Sequence, residues 1–110
     1  MVKKLFTLLL TLVVGSTFAQ TRPGSLKGQV TDSKTGETIP LANIVVKDNA
    51  GAIITGGTAD FDGNFNINPI APGTYNVEVT FAGYAKITLR DVNIQPNSPT
   101  FKDFKMSEAT

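Results

Sequence analysis

Beyond residue 25, the hydrophobic residues of this chain recur at every second position. In the segment TYNVEVTF, Tyr75, Val77, Val79 and Phe81 alternate with polar residues. A period of two places alternate side chains on opposite faces of a β-strand, whereas an amphipathic helix has a period of 3.6. No segment beyond residue 25 shows a convincing helical period. The pattern therefore predicts an all-β domain.

Seven short segments carry the alternation, and turn-forming residues (Gly, Pro, Asn and Asp) separate them. The segments are LKGQVTD (26–32), ANIVVKD (42–48), AIITGGTA (52–59), NFNIN (64–68), TYNVEVTF (74–81), AKITLRDVNI (85–94, as one strand or two) and SPTFKDFKM (98–106). About seven short strands with turns every 8–12 residues are typical of a two-sheet sandwich. We expect a seven-stranded antiparallel β-sandwich.

One face of these strands supplies the candidate core, because inward and outward side chains alternate along each strand. The predicted core residues are Val30, Ile44, Val46, Phe65, Ile67, Tyr75, Val77, Val79 and Phe81.

Residues 1–19 have the three-part pattern of a secretory signal peptide. A short basic start (MVKK) precedes an apolar run (LFTLLLTLVVG), and STFA ends in a small residue. The apolar run is too short for a membrane span, so none is expected after cleavage at Ala19. Residues 20–25 are predicted to be a flexible leader, 26–106 the domain and 107–110 a tail. The predicted location is the periplasm, the cell surface or the extracellular space.

Composition narrows the possible functions. The chain has no His and no Cys, so it cannot form Ser-His or Cys-His nucleophile systems or ordinary zinc-peptidase sites. We therefore predict that it is not an enzyme and holds no cofactor. Without Lys3 and Lys4, eight basic and nine acidic side chains remain, which gives no basic surface for nucleic acid.

The segment TADFDGNF (58–65) carries the only close pair of carboxylates that invites a chemical interpretation. Asp60, Asp62 and Asn64 have the spacing of calcium ligands, but an EF-hand loop would need Gly and Glu where Phe65 and Ala71 stand. A tight turn uses the same residues differently. Aspartate side chains accept hydrogen bonds from turn amides, and glycine adopts a positive φ. We predict a structural turn built by Asp60, Asp62 and Gly63, with a weak calcium site at Asp60, Asp62 and Asn64 as the alternative.

The order of the segments resembles the carboxypeptidase regulatory-like domain family. GQVTDSKTGETIPLANIVVKD, TADFDGNFNI and PGTYNVEVTFAGY follow its pattern over roughly residues 26 to 106. The resemblance implies a transthyretin-like, immunoglobulin-like Greek-key sandwich of seven strands without catalytic function. Such domains follow the catalytic domain of some carboxypeptidases and stand at the N-terminus of TonB-dependent receptors of the Bacteroidetes type.

Three functions follow from this resemblance as hypotheses. The first is an exported accessory module that binds a protein partner at the cell envelope. The second is a carbohydrate-binding module. Its candidate aromatic residues are Phe61, Phe101 and Tyr84, since the chain has no Trp. The third is an orphan fragment of a TonB-dependent receptor, because the sequence ends at Thr110 before any plug or barrel.

Overall fold

The computed structural model describes residues 22–109 of the chain. The predicted signal peptide (1–19) and its cleavage site lie outside these residues. The described part contains eight strands: β1 (Gly24–Asp32), β2 (Asn43–Lys47), β3 (Ile53–Thr58), β4 (Asn64–Ile70), β5 (Gly73–Thr80), β6 (Ile87–Ile94), β7 (Pro99–Phe101) and β8 (Phe104–Met106). Nothing in residues 22–109 forms a helix that is long and apolar enough to cross a membrane.

The strands form two four-stranded sheets that pack as a sandwich. Sheet I has the order β4-β1-β7, and β8 also pairs with β1. Sheet II has the order β3-β2-β5-β6, and all of its pairs are antiparallel. The predicted all-β sandwich is confirmed, but it has eight strands rather than seven. The segment AKITLRDVNI gives the single strand β6, whereas SPTFKDFKM gives two strands.

The last segment divides at Lys102 and Asp103, which belong to neither strand, although the N–H of Lys102 still donates to the Lys27 carbonyl of β1 at 2.9 Å. β7 and β8 each pair with β1 in parallel, which differs from the expected wholly antiparallel arrangement. Between them, an Asp103 carboxylate oxygen accepts the backbone N–H of Gln29 at 3.0 Å. The side chain thus takes the place of a backbone carbonyl at the interruption, so that this β1 amide still has a partner.

Strand β1 and the backbone hydrogen bonds at the C-terminal end both extend a few residues beyond the predicted bounds of 26 and 106. β1 begins at Gly24, within the segment 20–25 that was expected to be a flexible leader, because Gly24 pairs with Ile70 of β4. At the other end, the N–H of Ala85 donates to the carbonyl of Ser107 at 2.8 Å. The N–H of Ala109 donates to the carbonyl of Gly83 at 2.9 Å. Within the predicted tail, Ser107 and Ala109 are therefore hydrogen-bonded to the loop before β6.

Hydrophobic side chains from both sheets fill the space between them. Of the predicted core residues, these are buried: Val30, Ile44, Val46, Phe65, Ile67, Tyr75, Val77 and Val79. Phe81 is only half-buried, which differs from the prediction. β5 ends at Thr80, so Phe81 begins the following turn and packs against the ring of Tyr84, with 6.1 Å between ring centroids.

Candidate functional site

The TADFDGNF segment connects β3 to β4 as a turn organised by Asp60. One carboxylate oxygen of Asp60 accepts the N–H groups of Asp62 at 2.8 Å and Asn64 at 2.9 Å. Gly63 has a φ of 78°, and its N–H donates to the Asp60 carbonyl at 3.0 Å. A side chain at Gly63 would lie 2.7 Å from the carbonyl oxygen of Val30. Backbone conformation and lack of space both require glycine here.

The three calcium candidates have separate surroundings in this turn. Asp60 accepts backbone amides, the carbonyl of Asp62 accepts the side-chain amide of Gln29 at 3.1 Å, and Asn64 opens β4. Within residues 22–109, no three His, Cys, Asp or Glu side chains group as a metal site would need. We retain the structural turn as our interpretation, with a calcium titration as its test.

A hydrogen-bonded pair, formed by the buried Asp32 and the half-buried Tyr84, was not predicted from the sequence. Asp32 is 8% exposed; one carboxylate oxygen accepts the N–H groups of Lys34 and Thr35, and the other accepts the Tyr84 hydroxyl at 2.8 Å. The Tyr84 hydrogen bond and then these backbone amides lower the pKa of Asp32, while Asp32 raises the pKa of Tyr84. The sequence carries a signal only for the local turn, in which Asp32 is followed by Ser-Lys-Thr-Gly, because the partner Tyr84 lies 52 residues away.

A second charged cluster lies on the outer face of sheet II. The carboxylate of Glu78 forms ion pairs with the ammonium groups of Lys47 at 3.0 Å and Lys86 at 3.7 Å. The hydrogen bond from Lys47 is the main cause that lowers the pKa of Glu78. A depression of about 350 Å³ beside them is also lined by Asp48 and Arg90.

β3 forms one edge of sheet II and exposes apolar side chains there. Ile53 is 69% exposed and Ile54 is 46% exposed. Among the described strands, β3 pairs only with β2, so one row of its backbone N–H and C=O groups has no strand partner. The sequence IITGGT contains neither charge nor proline, and its pairing shifts register only at its first residues.

The other edges in residues 22–109 carry features that discourage pairing with another chain. β6 contains Arg90 and Asp91, and its pairing with β5 shifts register. β4 contains Pro69, and the interrupted β7 and β8 are three residues each. Charges, prolines, bulges and short strands all weaken edge-to-edge association. β3 is therefore the most suitable edge of the described sandwich for an added strand.

The three aromatic residues considered for sugar binding have different environments. Phe61 projects from the β3–β4 turn and is 80% exposed, and Phe101 on β7 is 68% exposed. Tyr84 is half-buried and bound to Asp32. Two of the three rings are thus accessible to a ligand, whereas Tyr84 is part of the protein's own packing.

The two packed sheets define an immunoglobulin-like β-sandwich. The sequence of residues 25–107 matches the family model of the carboxypeptidase regulatory-like domain. The chain therefore belongs to the carboxypeptidase regulatory-like domain family. A relative with this domain is carboxypeptidase D of Anas platyrhynchos, 33% identical over 81 residues. The match covers 74% of this chain but 6% of that protein.

Solved structures share the fold with low sequence identity. The BcpA major pilin subunit of Bacillus cereus aligns with a TM-score of 0.62 at 18% identity, over 80% of this chain and 31% of BcpA. A Bacteroides uniformis protein, provisionally described as carbohydrate-binding, aligns with a TM-score of 0.64 at 19% identity. That alignment covers 77% of this chain and 41% of the other. At such identities the similarity establishes the fold alone.

Proposed function

We propose that this protein is an exported, non-catalytic module that binds an extended segment of another protein at the cell envelope. The observation that carries the proposal is the free edge of β3. A partner strand added there would pair with the unpartnered backbone groups, which provide affinity without a special side chain. Ile53 and Ile54 would add apolar contacts, because both are exposed beside that edge.

The chemistry of the edge specifies the kind of segment that would bind. β3 has no charged residue, so a partner strand gains nothing from charge on its contacting side chains. Small residues at Gly56 and Gly57 leave room for larger side chains from the partner. The expected partner segment is extended, uncharged and rich in β-branched or aromatic residues.

Two features support a location at the cell envelope: the signal-peptide pattern of residues 1–19 and the family to which the domain belongs. The signal-peptide pattern predicts export, and members of the family occur as modules of larger exported proteins. The exported form should begin at Gln20, and its intact mass would test this. A secreted or periplasmic form that retains Met1 would contradict the proposed export route.

Site-specific photo-crosslinking tests the docking surface. A photoreactive phenylalanine analogue replaces Ile54 on β3 or, as the control, Thr88 on β6, which is also exposed. In the cells that produce the protein, Ile54 should give one discrete adduct, and Thr88 should not. The adduct should disappear when Ile53 is changed to Lys, although the melting temperature stays the same. The same adduct from both positions, or an adduct insensitive to Ile53→Lys, would contradict docking at β3.

Carbohydrate binding is a second candidate function. The observation that favours carbohydrate binding is the ring of Phe101, which is exposed on β7 beside polar side chains of sheet I. The apolar face of a sugar ring can pack against such an aromatic surface. The fold shared with the Bacteroides uniformis protein is compatible with this candidate.

A further inference from the structure

The outer face of sheet I presents amide side chains in register across neighbouring strands. Asn64, Asn66 and Asn68 are the exposed alternate residues of β4. Asn66 pairs with Lys27 of β1, and Asn64 pairs with Gln29. Residues that pair across a sheet project from the same face. These five side chains, which we call the amide face, therefore form one continuous polar surface.

Phe101 adds an apolar platform to the amide face. It pairs with Lys27 on the side opposite Asn66, so the three residues form one row across β4, β1 and β7. Neighbouring strands are about 4.8 Å apart, which is close to the width of one sugar ring. A ring stacked on Phe101 would thus have its neighbours along the oligosaccharide above Lys27 and Asn66.

Hydrogen bonds within the face orient its amides. The side-chain nitrogen of Asn68 donates to the side-chain oxygen of Asn66 at 3.0 Å. The side-chain nitrogen of Gln29 donates to the Asp62 carbonyl at 3.1 Å. The amide nitrogen of Asn66 and the amide oxygens of Asn68 and Gln29 take no part in these two hydrogen bonds. A planar amide offers a donor and an acceptor side by side, which suits two adjacent hydroxyl groups.

Two shallow depressions follow the amide face and share Lys27 as a boundary. The first, of about 350 Å³, is lined by Asn66, Asn68 and Pro99 among others. The second, of about 390 Å³, is lined by Gln29, Asn64 and Phe101 among others. Each is comparable in size to small-ligand sites, which begin at roughly 300 Å³. Because they adjoin, an elongated ligand fits them better than a single compact one.

The charges on and beside this face balance each other. Lys27 supplies one positive charge, and Asp103, which lines the second depression, supplies one negative charge. A strongly acidic or basic ligand would therefore gain little from this surface. The remaining groups are amides, which bind uncharged hydroxyls through hydrogen bonds.

We propose that the amide face and Phe101 bind a neutral oligosaccharide. One sugar ring packs on Phe101, and hydroxyl groups of the oligosaccharide form hydrogen bonds with Asn64, Asn66 and Gln29. This proposal rests on the second candidate function and assigns it a site and a ligand class. It is independent of docking at β3, which belongs to the other sheet.

Affinity electrophoresis with soluble polysaccharides tests this site. The purified protein is run in native gels that contain barley β-glucan, konjac glucomannan, arabinoxylan, dextran or yeast mannan, with polygalacturonate as the anionic comparison. At least one neutral polysaccharide should retard the protein. Phe101→Ala and Asn66→Ala should each weaken that binding about tenfold or more, a difference of about 1.4 kcal/mol. Phe61→Ala, which removes an exposed ring outside the sheet, should leave it unchanged.

The possible outcomes distinguish an error in the assigned binding site from an error in the proposed carbohydrate binding. Binding that is lost in Phe61→Ala but kept in Phe101→Ala would overturn the site and retain carbohydrate binding. Binding to polygalacturonate alone, abolished by Lys27→Gln, would overturn the assignment of a neutral ligand. No retardation by any polysaccharide would overturn both the site and carbohydrate binding. None of these results would change the expectation for docking at β3.

Discussion

Gly28 of β1 lies directly against the backbone of Lys102, between β7 and β8, and against the ring of Phe65. A Cβ atom there would lie 1.8 Å from the carbonyl oxygen of Lys102 and 2.8 Å from the ring of Phe65. The first of these atoms is backbone and cannot move aside as a flexible side chain would. Because Gly28 has no side chain, the backbone of Lys102 and the ring of Phe65 can both pack directly against β1.

Gly28→Ala should lower the free energy of unfolding by about 2–3 kcal/mol, because the added methyl group forces a backbone shift. The control is Gly51→Ala, at a turn with a φ of 88° and no atom within 4 Å of the added carbon. That change should cost about 1 kcal/mol from backbone strain alone. Urea unfolding of both variants provides the measurement, and an equal loss in the two would contradict the steric role of Gly28.

Tyr84→Phe tests the Asp32–Tyr84 hydrogen bond and should make the free energy of unfolding less dependent on pH. Asp32 has a lowered pKa, so its contribution is complete above about pH 4 and is lost as pH falls through the lowered pKa. Tyr84 has a raised pKa, so its contribution is complete below about pH 10 and is lost as pH rises through the raised pKa.

The stability difference between the wild-type protein and Tyr84→Phe should therefore be largest between these limits and shrink on both sides. Denaturant unfolding at a series of pH values would measure it. A difference that does not change from pH 3 to pH 11 would show that the hydroxyl of Tyr84 contributes independently of the Asp32 charge.

At the scale of elements, the β3–β4 connection is a self-sufficient turn, since the Asp60 carboxylate already accepts two backbone amides. Calcium at millimolar concentration should leave the melting temperature unchanged, because only an ion that binds the folded state would raise it. Differential scanning calorimetry with calcium, and again with a chelator, would decide this. A rise of several degrees that the chelator reverses would favour the calcium interpretation.

β5 and its neighbour β2 allow a matched comparison of inner and outer sheet faces. Val79 is buried between the sheets, whereas Val45 of β2 is half-buried on the outer face. Val79→Ala should cost about 1–3 kcal/mol because it removes buried methyl groups and leaves a cavity. Val45→Ala should cost less than about 1 kcal/mol, since part of its surface already contacts water. Equal losses in urea unfolding would mean that the two faces are assigned wrongly.

The sequence allowed these elements to be predicted to different degrees. The alternation in β5 is regular because both of its faces have consistent environments, one buried and one polar. The division between β7 and β8 was not predictable in this way, because it depends on a side-chain contact between Asp103 and Gln29, 74 residues apart. Phe81 follows the alternation but lies beyond the end of β5, and a period of two does not show where a strand ends.

The candidate sites were also predictable only where they depend on residues close together in the sequence. The turn residues Asp60 and Gly63 could be interpreted from local chemistry, because turn formation involves neighbours in sequence. The pair Asp32–Tyr84 and the amide face could not, since each depends on which strands lie side by side. The row of Asn66, Lys27 and Phe101 joins three segments whose register only the folded sheet defines.

At the scale of the whole molecule, the two sheets offer different surfaces for different ligands. Sheet II ends in the uncharged edge of β3, which suits a strand from another protein. Sheet I presents the amide face, which suits hydroxyl groups. A module with both surfaces could bring a protein and a polysaccharide of the envelope together, and each contact can be removed without the other. Ile53→Lys should affect only the first, and Phe101→Ala only the second.

The central claim is that a partner adds a strand to β3. Amide hydrogen exchange, followed by NMR on the protein alone and bound to the partner captured at Ile54, tests it most directly. Binding should slow exchange at alternate residues of β3, because alternate amides of an edge strand point outward and would become hydrogen-bonded. The amides of β6 should exchange as before. Unchanged exchange along β3 in the complex, or new protection confined to β6 or β7, would contradict the claim.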